Sequence, residues 1–388
     1  MLNQEMESYL CAHEAEALSL LKELARIPAF FGKEEKRARF CADWLRKQGA
    51  EGVCLDQAGN VIYPLEAEKE GPLAVYMAHM DTVFPDETEL PLHEEAGRIY
   101  CPGVGDDTAC LVCLLLAGKY AAEQLARGKA LPFRTDSNGR RIGLLLVFGT
   151  GEEGLGNLRG AREICRVYGN RMESFCALDS VFGHVTDHAV GSRRYRVCVE
   201  TAGGHSFSAF GADNAIEKLA GVIGRLYRIP VPSEGRTTYN VGRIEGGTAV
   251  NVIAQHAELL YEFRSDRQSG LYYMEEQFRE ILRAEQKKGL KIEAELLGER
   301  PCGSEPDALR QKKLVKRAVT AVKAATGKTP VCTSGSTDCN IPLSMGIPSV
   351  CMGCYEGKGA HTREEYVETA SLKKGYRAAF DMIFGYGD

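Results

Sequence analysis

Apolar residues recur at helical spacing near the start of the chain, at Leu10, Leu18, Leu21 and Leu24, and predict a helix over residues 6–26 that Pro28 ends. A second helix is predicted from Glu34 to Gln48. The pattern then changes to short, unbroken apolar runs separated by helical stretches. Leu73–Ala78, Ile142–Phe148 and Phe175–Leu178 read as buried strands, and Thr108–Ala126 and Leu155–Tyr168 as helices. Continuous apolar strands alternating with helices predict an α/β fold, with a mixed, mostly parallel sheet flanked by helices on both faces. Residues 130–141, with Pro132, Asp136, Asn138 and Gly139, predict an exposed excursion.

Near Val190 the texture shifts. Tyr195–Glu200 alternates like a half-buried strand, and Thr238–Arg243, Ala257–Arg264 and Lys291–Leu297 are strand-like. Asn214–Tyr227 and Tyr272–Arg283 read as helices. Two helices on one small, antiparallel sheet make a self-contained α+β unit. After Pro301 the first texture returns, with a helix over Pro306–Ala325, a strand over Ser349–Met352 and a final helix over Ala370–Phe384. One domain, residues 191–299, is therefore expected as an insertion into another formed by residues 1–190 and 300–388. A length of 388 residues suits two cores better than one.

Composition narrows the function classes. The net charge is -5 with scattered Lys and Arg, so no basic stripe is available to track a phosphate backbone, and nucleic acid is not an expected partner. The longest apolar runs, such as Ala109–Ala117, fall short of the ~20 residues that span a bilayer, so no membrane association is expected. The first residues carry Glu5, Glu7 and Glu14 rather than a charged-then-apolar leader pattern. Fourteen cysteines in such a chain predict reduced thiols and a cytoplasmic location.

The placement of polar residues carries the chemistry. His79 and Asp81 follow the run ending at Ala78, Glu152 and Glu153 follow Leu144–Phe148 after a Gly-rich turn, and Asp179 ends Phe175–Leu178. His361 follows Pro348–Met352 and a glycine-containing loop, and Asp106 and Asp107 open the Thr108 helix. Ligands of open α/β sheets bind beyond the carboxyl ends of the strands. Two imidazoles and several carboxylates at one such rim suit zinc, and a shared carboxylate suits a pair of ions about 3.5–4 Å apart. Taken singly, each residue reads equally well as a helix cap or a surface charge.

Five short motifs then occur in order: Ala78-His79-Met80-Asp81-Thr82-Val83, Gly103-Val104-Gly105-Asp106-Asp107, Gly149-Thr150-Gly151-Glu152-Glu153-Gly154, Ala177-Leu178-Asp179 and Gly359-Ala360-His361-Thr362. Together they resemble the signatures of the M20 metallopeptidases, a family of aminopeptidases, carboxypeptidases, dipeptidases and N-acyl-amino-acid deacylases. The resemblance implies two zinc ions, with cobalt or manganese as substitutes. His79, Asp106 and Asp179 would hold one ion, and Glu153 and His361 the other, with Asp106 bridging. Glu152 would be the general base for the zinc-activated water. Asp81 would hydrogen-bond the far nitrogen of His79. The Asp106–Asp107 peptide would be cis.

The same resemblance makes the insertion a lid and dimerisation domain and implies a homodimer. His205, in Gly203-Gly204-His205-Ser206, matches a substrate-facing histidine. Asn251 matches a substrate-binding asparagine, and Arg264 an arginine for a substrate carboxylate. Gly335, in Gly335-Ser336-Thr337-Asp338, falls in a segment that reads either as a carboxylate cradle or as a turn capped by Asp338. Two C-x-x-C pairs, Cys110–Cys113 and Cys351–Cys354, read as core packing, since one lies in an apolar helix and the other in a strand.

Three functions stay open from the sequence. The first is hydrolysis of an amide bond in a short peptide. The second is release of an amino acid from an N-acyl group or a carboxyl-terminal peptide bond by the same site. The third is a catalytically silent binding protein, against which every expected ligand and Glu152 are present. Asp rather than Glu at 179 resembles the peptidases more than the deacylases of the family, and Thr108 and Ala109 stand where many relatives have a Lys.

Overall fold

The computed structural model describes residues 2–304 and 306–385. The chain divides into two compact units, Met1–Ala189 with Ser304–Asp388, and Val190–Gly303. The insertion thus closes after Gly303, later than the 299 read from the sequence, because the strand Lys291–Arg300 runs on past Leu297.

The first unit is built on an eight-stranded mixed sheet. Its order is Cys54–Leu55, Val61–Leu65, Gly143–Gly149, Leu73–His79, Met172–Leu178, Ser349–Met352, His184–Ala189, Val331–Gly335. The four central strands run parallel, whereas Val61–Leu65 and His184–Ala189 each pair antiparallel with the neighbour nearer the centre. Side chains alternate between two cores. Tyr76, Ala78, Leu144, Leu146 and Phe148 enter one, and Val75, Met77, Leu145, Val147 and Phe175 the other. Covering both faces makes the central strands apolar throughout, and each fully buried aliphatic side chain contributes roughly 1.5–3 kcal/mol.

Strand Leu73–His79 lies between Gly143–Gly149 and Met172–Leu178, the next central strands in sequence. The chain therefore steps to one side of it, then crosses to the other. At such a reversal the carboxyl ends of the strands are where open α/β sheets bind ligands.

Several elements differ from expectation. The helix predicted over 6–26 is two, Gln4–Ala12 and Glu14–Ala25, breaking at His13, whose ring stacks on Tyr9 at 4.0 Å. The Thr108 helix is regular only over Cys110–Ala126, because Asp106 and Asp107 take non-helical conformations in the turn before it. By length and composition Val104–Ala126 passes as a membrane span, although no single apolar run in it is that long; its residues are packed inside the unit as a core helix. A small second sheet, Gly357–Lys358, Tyr366–Glu368, Arg98–Tyr100 and His93–Glu95, has no counterpart in the sequence reading.

The second unit is an antiparallel sheet ordered Thr237–Gly246, His256–Ser265, Gly191–Glu200, Lys291–Arg300. Helices Ala215–Leu226 and Gln268–Lys287 pack on one face, where Tyr195, Val197, Val199, Leu259, Tyr261 and Phe263 form the core. Asn214 caps the first helix through the Ile216 amide. The other face carries polar and charged residues.

Candidate active site

Four of the expected residues come from the carboxyl ends of the central strands. His79 ends Leu73–His79, Asp179 follows Met172–Leu178, and the turn after Gly143–Gly149 delivers Glu152 and Glu153. The small sheet brings two more. Its hairpin, Gly357–Lys358 against Tyr366–Glu368, presents His361, and the neighbouring strand Arg98–Tyr100 leads into the turn that carries Asp106.

Asp106 stands between the histidines. Its Oδ1 is 3.1 Å from His79 Nε2 and its Oδ2 is 3.1 Å from His361 Nε2. His361 Nε2 is also 2.9 Å from Glu153 Oε1. Ligand atoms about 2.0–2.2 Å from one ion stand roughly 3.3 Å apart at tetrahedral angles, close to these separations. Donor atoms of Asp106, Glu153 and His361 lie within 4.8 Å of one another, as do those of His79, Glu152 and Glu153. Around Asp179, the group that converges with His79 has Asp107 rather than Asp106 as its third member. The first expected trio is therefore drawn together less tightly than the second.

The hydrogen bond expected from Asp81 to His79 is differently made. His79 Nδ1 faces the backbone carbonyl of Asp81 at 3.0 Å, while the nearer carboxylate oxygen is 3.6 Å away. The Asp81 carboxylate instead accepts from the amides of Glu152, at 3.1 Å, and Glu153, at 2.7 Å. The physical reason is demand: two buried amides in a tight turn need an acceptor, and the two oxygens of Asp81 supply one each.

The same device recurs around the site. Asn60 Oδ1 accepts from the Thr150 amide and Glu34 Oε1 from the Gly151 amide, so side chains receive every amide from Thr150 to Glu153. Arg159 pairs with Glu34 on its other oxygen. Opposite, Glu365 accepts from the amides of Gly103, Gly105 and Asp106 at 2.7, 2.9 and 2.7 Å. Gly103 has φ +75°, and a Cβ there would meet Thr82 Cγ2 at 2.6 Å, so only glycine fits the turn. The Asp106–Asp107 peptide is cis. Sequence reasoning missed Glu34, Asn60 and Glu365. Only Glu365, four residues beyond His361, carried any signal, and that was slight.

Electrostatics show a site short of positive charge. Burial, then the charge of Asp106, pushes Asp179 well above the usual carboxylate range, and burial does the same to Asp107. Glu153 is also raised by burial, although His361 opposes the shift. Burial raises Asp106 too, but hydrogen bonds from His361 and His79 outweigh it and hold it low. His361 is pushed up to about 10 by Asp106 and Glu153. Asp107 Oδ1 is buried, and among the described residues no nitrogen or oxygen donor reaches it. So many desolvated carboxylates around two imidazoles fit bound cations, and nitrogen with carboxylate oxygen is a donor set that suits zinc.

The remaining expected residues are placed as follows. In the second unit His205 and Asn251 come together. Gly204–His205 pairs with Val252–Ile253, and the Ser206 amide donates to Asn251 O at 3.0 Å. Arg264 lies at the far end of strand His256–Ser265, eight residues or roughly 26 Å from its start, and its guanidinium is held by Glu262 at 3.0 and 3.1 Å. In the first unit Gly335 ends an edge strand, and the turn after it is internally bonded, Thr337 N donating to Asn340 Oδ1 at 2.9 Å. Cys110, Cys113 and Cys354 share one core while Cys351 belongs to the other, so the four thiols do not converge.

An open α/β sheet with carboxylates and histidines at its switch point suits a metal-dependent enzyme, and the family it matches makes it a hydrolase of amide bonds. The chain belongs to peptidase family M20/M25/M40, whose model matches residues 75–384. Over 385 residues it is 27% identical to a putative succinyl-diaminopimelate desuccinylase DapE of Mycobacterium tuberculosis, covering 95% of this chain and 97% of that one. The aminopeptidase PepT of Bacillus cereus superposes with a TM-score of 0.71 at 22% identity, over 96% of this chain and 98% of that one. The YXEP protein of Bacillus subtilis, described as a dinuclear metal-binding peptidase, superposes with a TM-score of 0.63 at 17% identity, over 96% and 98%.

Proposed function

We propose that this enzyme cleaves an amide bond in short peptides with two divalent ions, zinc foremost, and Glu152 as general base. One observation carries the reading: the carboxylate of Asp106 offers one oxygen toward each histidine at 3.1 Å, as a bridging ligand must. His79 and Asp179 complete one side, with Asp107 packed beside them, and Glu153 and His361 the other. When bound, the ions supply Lewis acidity to the scissile carbonyl and the attacking water. Glu152 takes the proton of that water and delivers it to the leaving nitrogen. Asp81, through the two amides it receives, fixes where the Glu152 and Glu153 side chains start.

His205, Asn251, Arg264 and Gly335 are assigned to the substrate, the first as donor to the developing oxyanion. A homodimer through the inserted unit fits the exposed Phe207, Phe210 and Val250 beside His205 and Asn251. All fourteen cysteines being free thiols supports the cytoplasm.

A second reading, an N-acyl-amino-acid deacylase or carboxypeptidase with the same centre, is favoured by the similarity to a putative desuccinylase. The test is hydrolysis of free-amine di- and tripeptides, N-blocked peptides and N-acyl amino acids by zinc-loaded protein, with a chelator control. Chelator-sensitive cleavage confined to free-amine peptides supports the first reading. Preference for N-acylated substrates replaces it with the second, and chelator-insensitive turnover overturns both.

A further inference from the structure

We propose that the inserted unit holds a separate site for a thiophilic divalent cation, zinc by its chemistry, formed by Cys198, His256 and Glu258. The three lie on the sheet face opposite the helices. Cys198 sits directly across from Glu258 on the paired strand, and His256 precedes Glu258 by two residues and so shares its face. Their donor atoms all lie within 4.8 Å of one another. Cys198 Sγ and His256 Nε2 each stand 3.9 Å from Glu258 Oε2. Zn–S and Zn–N bonds of about 2.3 and 2.0–2.1 Å put such donors roughly 3.5 Å apart, so small side-chain rotations at a surface close the site.

The neighbouring charges leave these donors available. Glu200 is paired with Lys291, Glu295 with Arg196 at 2.9 Å, and Glu245, across from Glu258 on the third strand, with Arg243. Among the described residues Glu258 has no comparably close ion pair: Arg196 Nε and the His256 ring nitrogen Nε2 both stand 3.9 Å from it. Glu293 faces Cys198 from the other flank and stands in register for a fourth ligand. Partial burial and Glu258 raise the Cys198 thiol, so it stays protonated until a cation displaces that proton. A thiolate, an imidazole and a carboxylate suit zinc, copper or cobalt and disfavour magnesium and calcium.

The site has a structural consequence. His256 directly follows the segment that carries Asn251, and the strand bearing Cys198 leads through Glu200 toward His205. These segments are already tied where Thr201 N and Oγ1 donate to Gln255 O and Ala254 O, both at 2.8 Å. A cation would clamp the base of both.

The test uses the full-length protein, stripped of metal by a chelator and titrated with Co²⁺ under anaerobic conditions. A thiolate-to-cobalt charge-transfer band in the near ultraviolet is expected; the proposed catalytic ligands include no sulfur, and Cys198→Ser separates this site from the other free thiols. The band should vanish in Cys198→Ser and persist in Cys332→Ser, which removes an exposed thiol elsewhere. Its apparent affinity should fall at least about tenfold in His256→Ala. Excess Zn²⁺ should bleach it, with one fewer tightly held zinc per chain in Cys198→Ser than in the parent. Absence of the band, or a band of equal strength in Cys198→Ser, overturns the proposal. All three substitutions sit at exposed or partly exposed positions, and an unchanged far-ultraviolet spectrum checks that each variant is folded.

Discussion

Replacing Glu365 by Gln tests whether the turn around Asp106 is held from outside the ligand set. The buried carboxylate receives three amides, Gly103 on Oε2 and both Gly105 and Asp106 on Oε1. Burial pushes Glu365 up to about 7, so the comparison is made at about pH 8.5, where it is charged; Gln has the same shape but carries no charge, and one end of it donates. With its oxygen toward Gly105 and Asp106, two bonds fall from the charged to the neutral class, a loss of about 1 kcal/mol each. The Gly103 amide then faces a donor, at a further 1–3 kcal/mol or so, giving about 3–5 kcal/mol in all. Urea unfolding of the metal-free protein should show most of that loss. Because Asp106 is the residue both histidines face, zinc affinity measured against a competing chelator should also drop about 10–100-fold. A stability loss with zinc affinity unchanged within about twofold would make Glu365 a structural residue only. No loss of either would refute the reading that these three bonds fix the turn.

Other perturbations separate the remaining roles. Glu152→Ala should retain both ions by metal analysis but lose about 10²–10⁴-fold in kcat, whereas Glu153→Ala should lose metal as well; a fully active Glu152→Ala would falsify the base assignment. Asp81→Asn leaves the Glu152 or the Glu153 amide without its acceptor and should lower kcat with the zinc content intact; unchanged kcat would show that the turn holds itself. Arg37 is fully buried and donates to Ile27 O, Met80 O and Thr108 Oγ1, so Arg37→Met should destabilise the chain by about 3–5 kcal/mol in urea, and a loss below about 1 kcal/mol contradicts that account. Chelation should lower the unfolding temperature, since ions held at a thousandfold excess over Kd add about 4 kcal/mol. An unchanged temperature means the buried carboxylates do not depend on cations.

The central strands were legible because burial on both faces leaves them no polar positions. Leu73–His79 and Gly143–Gly149 are apolar almost throughout, and the residues that end them advertise the rim. His184–Ala189 and Val331–Gly335 lie toward the sheet edge, carry Thr, Asp, His and Ser, and resemble loops in a single sequence. The strands of two or three residues that position His361 and Asp106 are too short to show any period. Motif order picked out the residues that converge at the rim but not what holds them. Glu34, Asn60 and Glu365 act on backbone amides far away in sequence, a role that leaves no pattern in the neighbouring residues. Asp81 shows the opposite case: the motif singles it out as a partner of His79, and its carboxylate is spent on the Glu152 and Glu153 amides.

The way the second unit begins and ends also has an implication for how such chains diversify. Its first and last strands are partners, Ser192 pairing with Arg300 and Gly191 packing against Cys302. Both ends of a folded excursion of more than a hundred residues therefore emerge about one strand spacing, ~5 Å, apart. To the chain on either side, the excursion is equivalent to a very short loop, and its length adds little to the entropy of closure. A module joined in this manner can be lengthened, exchanged or excised and bridged by a two- or three-residue turn, so that one hydrolytic core can be recombined with different attachments.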